Sequence, residues 1–182
     1  MSIFELVSEF FRRRAVQIIN ERAKTTRLVR RLVESKIGFV YPGANFVDGI
    51  EVAEQSVGYV DYGISPLGDR LYINRIEIQP SRQHQWVGQN VLWLLWIKHG
   101  LPIVPLHQYT RTDRFWYRTR RRLATAGAVI HDELKDLADL QMEQQRWAHM
   151  MPNAEDKLLM REYWEWVAAE HAAGRPAGPD IR

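Results

Sequence analysis

The run Ile76-Glu77-Ile78-Gln79-Pro80 is followed two residues later by Gln83-His84-Gln85-Trp86-Val87-Gly88-Gln89. The first piece alternates like a strand, and a proline stops it. The second is a polar loop with a glycine. It leads into Val91, Leu92, Leu94, Leu95 and Ile97, an apolar run at helical spacing. A helix that starts there leaves backbone N–H groups without intrahelical partners. With the helix dipole they make a ready anion site, and a phosphate or pyrophosphate is its natural occupant. Other chemistry is thinner. Cysteine is absent, which excludes disulfides, thiolate catalysis and cysteine-ligated zinc. The histidines at 84, 99, 107, 131, 149 and 171 show no His-x-x-x-His spacing, so no metal is expected. His107, near the end of an expected strand, is weighed as a base against an ordinary polar histidine. Glu77 shares a strand face with Arg75, and by itself reads as its ion-pair partner.

The elements that must position this loop follow from period and punctuation. Residues 2–35 carry apolar residues at spacings of three and four and read as helix, with a break at Thr25-Thr26. Ile50 and Val52, then Val57 and Tyr59, alternate, with Gln55-Ser56 as the turn between them. Leu71, Ile73, Ile76 and Ile78 form a further strand after the turn cluster Ser65-Pro66-Leu67-Gly68-Asp69. Two or three antiparallel strands are expected here. Residues 88–99 form a buried helix ended by Gly100. Residues 101–109 read as a strand and residues 112–125 as a helix rich in arginine and aromatics. Ala128-Val129-Ile130 begins another strand. Residues 132–173 read as acidic helix divided at Pro152-Asn153, and residues 174–182 as a loose tail.

A chain of 182 residues with 46% hydrophobic and 26% charged residues is the size and composition of one globular domain with appendages. The charge is uneven. Residues 1–36 hold nine Lys and Arg against four Glu, and residues 111–122 hold six Arg against Asp113. Residues 132–170 hold ten acids against four bases. The simplest expectation is that the acidic tail packs near one or both basic segments. The alternative is that a basic patch meets the phosphates of a cofactor or of nucleic acid. The basic residues of the N-terminus follow its apolar ones, unlike a secretory leader, and no apolar run nears the roughly 20 residues of a membrane span. A cytoplasmic protein that does not engage a membrane is expected.

Val57-Gly58-Tyr59-Val60, Ile76-Glu77-Ile78-Gln79-Pro80 and residues 83–88 together resemble the central motif of GNAT-type N-acetyltransferases. A second strand and helix follow, the helix beginning Thr110-x-x-Asp113-x-x-Trp116-Tyr117. The resemblance covers about residues 50–133. It implies an α/β fold with a mixed, mostly antiparallel sheet and helices on both faces. Residues 37–133 are then the acyl-CoA-binding core. Residues 1–36 add a basic helical segment, and residues 134–182 an acidic helical extension with a loose tail. The resemblance also implies acetyl-CoA as co-substrate, with no metal. Backbone groups of Ile76 and Ile78 would hold its pantetheine arm. The loop Gln83, His84, Gln85, Trp86, Val87, Gly88 and the adjoining Gln89 would hold its pyrophosphate. Tyr117 would protonate the leaving thiolate, and Glu77 would accept the proton of the attacking amine.

Trp86 departs from the motif, because it stands where the family has its first glycine. With a negative φ it would still donate its amide while its ring points away, either stacking on adenine or blocking the site. The arginines 111, 114, 118 and 120–122 fall on several helix faces, some toward the CoA 3′-phosphate and others toward solvent or the acidic tail. Transfer of an acetyl group to an amine acceptor, which the sequence does not name, is the leading expectation. The alternatives are a catalytically inactive GNAT-like binding or assembly protein, and a nucleic-acid-binding protein acting through its basic helices. Trp147, Trp164 and Trp166 imply that the tail packs either against the domain or against another subunit, as in a homodimer through the C-terminal helices.

Overall fold

Four consecutive segments rich in β-branched and aromatic residues pair in order, and short turns set their register. The computed structural model describes residues 3–35, 44–106, 113–134, 137–150 and 154–174. Helix α1 (Ile3–Ala23) leads into strands β1 (Thr26–Ser35), β2 (Ala44–Val52), β3 (Gln55–Ile64) and β4 (Leu71–Ile78). A 3-10 turn (Pro80–Arg82) precedes α2 (Val87–His99), β5 (Ile103–Pro105) and α3 (Asp113–Ala124). Helices α4 (Leu137–Gln145) and α5 (Ala154–Ala172) follow. The sheet order is β1-β2-β3-β4-β5, with the first four strands antiparallel and β5 parallel to β4. The chain is thus α/β with a five-stranded mixed sheet.

Several expectations need correction. The expected helix over residues 2–35 ends at Ala23, and Thr26–Ser35 is the edge strand of the sheet. The pairs Leu28-Val29 and Leu32-Val33 fit either period. A bulge at Arg31, between the pairs Arg30↔Asp48 and Leu32↔Val47, interrupts the alternation that would have marked a strand. The turn expected at Gln55-Ser56 lies two residues earlier. Ala53 and Glu54 both have positive φ, as a two-residue hairpin turn that follows the strand twist requires. Residues 128–130 contribute a single bridge, Ile130 to Ile103, rather than a strand. Of the strand expected over residues 101–109, Ile103–Pro105 is observed, and residues 107–109 lie outside the described residues.

Consecutive strand residues point to opposite faces, and the core divides accordingly. Leu71, Ile73 and Ile103 join the larger cluster, where Val91, Leu92 and Leu95 of α2 and Trp116 and Leu123 of α3 are buried. Tyr72 and Val104 join a second cluster on the other face with Leu140 and Trp147, against which Trp164 of α5 packs. Helices therefore cover both faces. The last turns of α1 are tied to α2. Trp93 Nε1 donates to Asn20 Oδ1 at 2.8 Å, and Asn90 Nδ2 donates to Arg22 O and to Thr26 Oγ1, each at 3.1 Å. The first turns of α1 leave Phe4, Phe10 and Phe11 exposed.

The acidic segment meets the start of β4 through Glu143 and the basic helix α3 through Asp132. Glu143, 4% exposed, accepts from Arg70, Tyr72 and its own helix neighbour Arg146. Among the described residues, Asp132 with Arg120 at 3.4 Å is the contact it makes with an arginine of α3.

Two stability effects arise here. A Cβ built on Gly58 would lie 2.0 Å from the Glu77 carbonyl oxygen. Gly58→Ala must push β3 off β4, and overpacking of this kind costs about 1–3 kcal/mol. The denaturant midpoint should drop with the slope unchanged; an unchanged midpoint would show that the strands separate there without cost. The second effect is on pH dependence. His99 Nε2 is buried without a partner, and the ring packs edge-on to Tyr62 at 5.6 Å. Burial, then the charges of Lys98 and Arg30, hold its pKa below the usual histidine value, while Asp48 opposes them. The unfolded chain therefore takes up this proton first. Stability is expected to fall as pH drops below about 6.5. Melting curves across that range should flatten in His99→Gln, and an unaltered slope would remove His99 as the cause.

Candidate functional site

A second bulge opens the sheet. Asp61 pairs with Arg75 but Tyr62 pairs with Ile73, so Asn74 is an extra residue in β4. Pairing of β4 with β5 runs from Leu71↔Ile103 to Ile73↔Pro105. The amide of Leu106 then donates to Ile73 O at 3.0 Å. Among the described residues, no strand pairs with the β5-facing edge of β4 beyond this point. The side chains of Ile76 and Ile78 there line a cavity of about 490 Å³.

The loop after Pro80 forms the cavity's next wall. Gln79 N donates to Val57 O at 2.8 Å, Arg82 N to Gln79 O at 2.8 Å, and Gln83 Nε2 to Ile78 O at 2.9 Å. These bonds fold the chain back over the end of β4. His84 and Trp86 both have positive φ, 63° and 67°. The condition of a negative φ at Trp86 is therefore not met. Its backbone takes the left-handed form that glycine adopts freely and that costs other residues about 1–2 kcal/mol. The ring lies between two guanidinium groups, Arg22 at 4.4 Å and Arg122 at 3.9 Å from its centroid. Each such contact returns roughly 0.5–1 kcal/mol at an exposed site. A smaller cavity of about 180 Å³ lies between α1, α2 and α3 and shares Trp86, Gln89 and Arg122 with the first.

Trp86 is the N-cap of α2 and makes no side-chain capping bond. The first-turn amides of Val87, Gly88 and Gln89, all on the cavity wall, have no acceptor within the helix. Gly88 is needed for a second reason. A Cβ there would meet the Phe115 ring at 3.0 Å, so a larger residue would force α3 away.

Helix α3 closes the cavity with Arg114, Phe115, Trp116, Arg118 and Arg122, and Arg82 completes its rim. Trp116 is 4% exposed, and its ring meets Phe115 edge-on at 5.1 Å. The site thus has an apolar side of Ile76, Ile78, Phe115 and Trp116, and a side with four arginines. No Asp or Glu lines it, and no carboxylate among the described residues pairs with Arg82, Arg114, Arg118 or Arg122. Burial, and then the like charges of Arg118 and Arg22, push the Arg122 pKa down. A bound anion would relieve that repulsion.

Of the residues expected at the site, Ile76, Ile78, Gln83, His84, Trp86, Val87, Gly88 and Gln89 line one cavity. Gln85 does not; its Nε2 donates back to Ser81 O at 3.0 Å. Glu77 is off the wall as well. It pairs with Arg75 at 2.6 Å, accepts from Tyr59 Oη at 3.2 Å, and is 52% exposed. Tyr117 is 58% exposed and accepts from Arg121 Nη1 at 3.2 Å, although its neighbours Trp116 and Arg118 face the cavity. His107 lies outside the described residues. Arg82 and Phe115 were not anticipated. Arg114, Arg118 and Arg122 stand at i, i+4 and i+8, which places them along one edge of α3 and was a readable signal.

No helix among the described residues is long and apolar enough to cross a membrane. Compared with family models, curated proteins and solved structures, the chain matches none.

Proposed function

We propose that the chain binds acetyl-CoA in this cavity and transfers its acetyl group to an amine. One observation carries the reading. An uncapped helix N-terminus and four arginines without carboxylate partners among the described residues share a cavity with an edge of β4 that no described strand covers. Such a site suits a ligand with a polyphosphate at one end and an extended amide-bearing arm at the other. The α2 amides and the arginines bind the phosphates. The uncovered β4 edge offers main-chain groups to the arm, as an added strand would use them, with Gln83 Nε2 giving up its bond to Ile78 O where the arm needs that carbonyl. The neutral amine nitrogen attacks the thioester carbonyl, the C–S bond breaks, the thiolate leaves, and water carries the proton from the nitrogen to the thiolate. Main-chain N–H groups suffice to stabilise the oxyanion.

A second reading, acyl-CoA binding without transfer, draws on the positions of Glu77 and Tyr117 away from the wall. Loss of a general acid costs about 10²–10⁴-fold in rate, whereas the exposed position of Tyr117 predicts a change under about threefold in Tyr117→Phe. Free thiol release from acetyl-CoA, followed with a panel of polyamines, lysine peptides and aminoacyl compounds, tests both readings. Amine-dependent release supports transfer. Saturable binding with no release from any amine favours the binding module.

A further inference from the structure

Helix α3 carries Arg114, Tyr117, Arg118 and Arg121 at i, i+3, i+4 and i+7, which is one helix face, and all four are exposed. None of these three arginines pairs with a carboxylate among the described residues; the α3 arginine that does, Arg120, lies on another face and meets Asp132. Arg121 instead lies over the Tyr117 ring, 5.6 Å from its centroid. Arg114 and Arg118, like Arg118 and Arg122, are like charges one turn apart, an arrangement that destabilises an isolated helix. The stripe therefore costs helix stability and finds no compensating acid among the described residues. A polyanion supplies the missing charge. An exposed ring among the arginines adds a surface on which an unpaired base can stack, at about five- to a hundredfold in affinity per base.

We propose that the exposed face of α3 is a binding strip for single-stranded nucleic acid, with arginines on successive phosphates and Tyr117 under a base. This goes beyond the acetyl-CoA reading. Tyr117 and Arg121 do not line the cavity, so they probe the strip separately.

The test is fluorescence anisotropy of a labelled oligouridylate titrated with the full chain over a salt series. Duplex RNA and phosphatidylserine vesicles serve as competitors. Binding should weaken with salt by about 0.7 in log K per log salt for each phosphate contacted. Arg121→Gln should reduce that slope by about 0.7. Tyr117→Ala, with its melting temperature unchanged, should weaken binding about five- to a hundredfold. No binding at low salt, unaltered binding in both variants, or displacement by duplex or vesicles more readily than by unlabelled single strand would each overturn the strip. Acetyl-CoA binding measured on the same samples separates the two proposals. Strand binding without acetyl-CoA binding overturns the functional reading alone, and the reverse overturns the strip alone.

Discussion

Replacing Arg118 and Arg122 together by glutamine should weaken acetyl-CoA binding by about a hundredfold or more, equivalent to roughly 2.7 kcal/mol. Both line the cavity, and neither has a carboxylate partner among the described residues. No described carboxylate thus neutralises either charge before a ligand arrives, although Arg122 already lies over the Trp86 ring. Charge-assisted hydrogen bonds to phosphate are about twice as strong as neutral ones, and losing two of them accounts for the effect. The fold should not suffer. The substitutions remove a like-charge pair one turn apart on α3, and they relieve the repulsion that lowers the Arg122 pKa. The Arg122 contact with the Trp86 ring, worth roughly 0.5–1 kcal/mol, is lost as well, so a melting temperature within a few degrees of the parent, together with the weakened binding, is the expected pattern. Unchanged affinity would mean that the phosphates sit elsewhere.

The largest stability effect should come from the opposite end of α2. Asp48 is 1% exposed and accepts from Arg30 Nε and, at 2.9 Å, from Tyr62 Oη. Lys98 Nζ lies 3.5 Å away. Burial and the Asp48 carboxylate together push the Tyr62 hydroxyl pKa well up, so the phenol stays a donor. Asp48→Ala strands one part-buried guanidinium and one buried phenol. Removing one partner of a buried ion pair costs about 3–5 kcal/mol. At roughly 2–4 °C per kcal/mol for a chain of this size, the melting temperature should fall by about 6–20 °C. Asp48→Asn keeps an acceptor for Tyr62 and should lose less. Acetyl-CoA at saturating concentration should still bind Asp48→Ala below its melting temperature, because Asp48 is not part of the cavity wall. A drop under about 1 kcal/mol would show that Arg30 and Lys98 find other partners or water.

What the sequence disclosed follows from how local each signal is. The strand ending at Pro80, the buried helix and its stop at Gly100 are written in adjacent residues, and all are observed. The loop was legible for the same reason: with Ile76 and Ile78 of β4, eight of the nine residues expected on the cofactor side share one cavity. Strand β1 was not legible. Its bulge at Arg31 breaks the alternation, and its pairing with β2 is a non-local fact. The bulge at Asn74, which frees the edge of β4, was hidden in the same way. Glu77 and Tyr117 show the limit for chemistry. A strand period puts Glu77 beside Arg75 and opposite Ile76 and Ile78, where it is found; its catalytic role rested on the resemblance alone. The face of α3 that meets the cavity is set by the packing of Phe115, Trp116 and Leu123. That packing leaves Tyr117 outside.

The central claim is that the cavity between β4 and the start of α2 holds an acyl-CoA. Calorimetric titration of acetyl-CoA into the full chain tests it most directly, with ATP as the control for phosphate binding alone. The account predicts saturable heat at one site per chain, and weaker binding of ATP, which lacks the arm that the β4 edge would hold. Absence of saturable heat at millimolar acetyl-CoA, or equal binding of ATP, would contradict it.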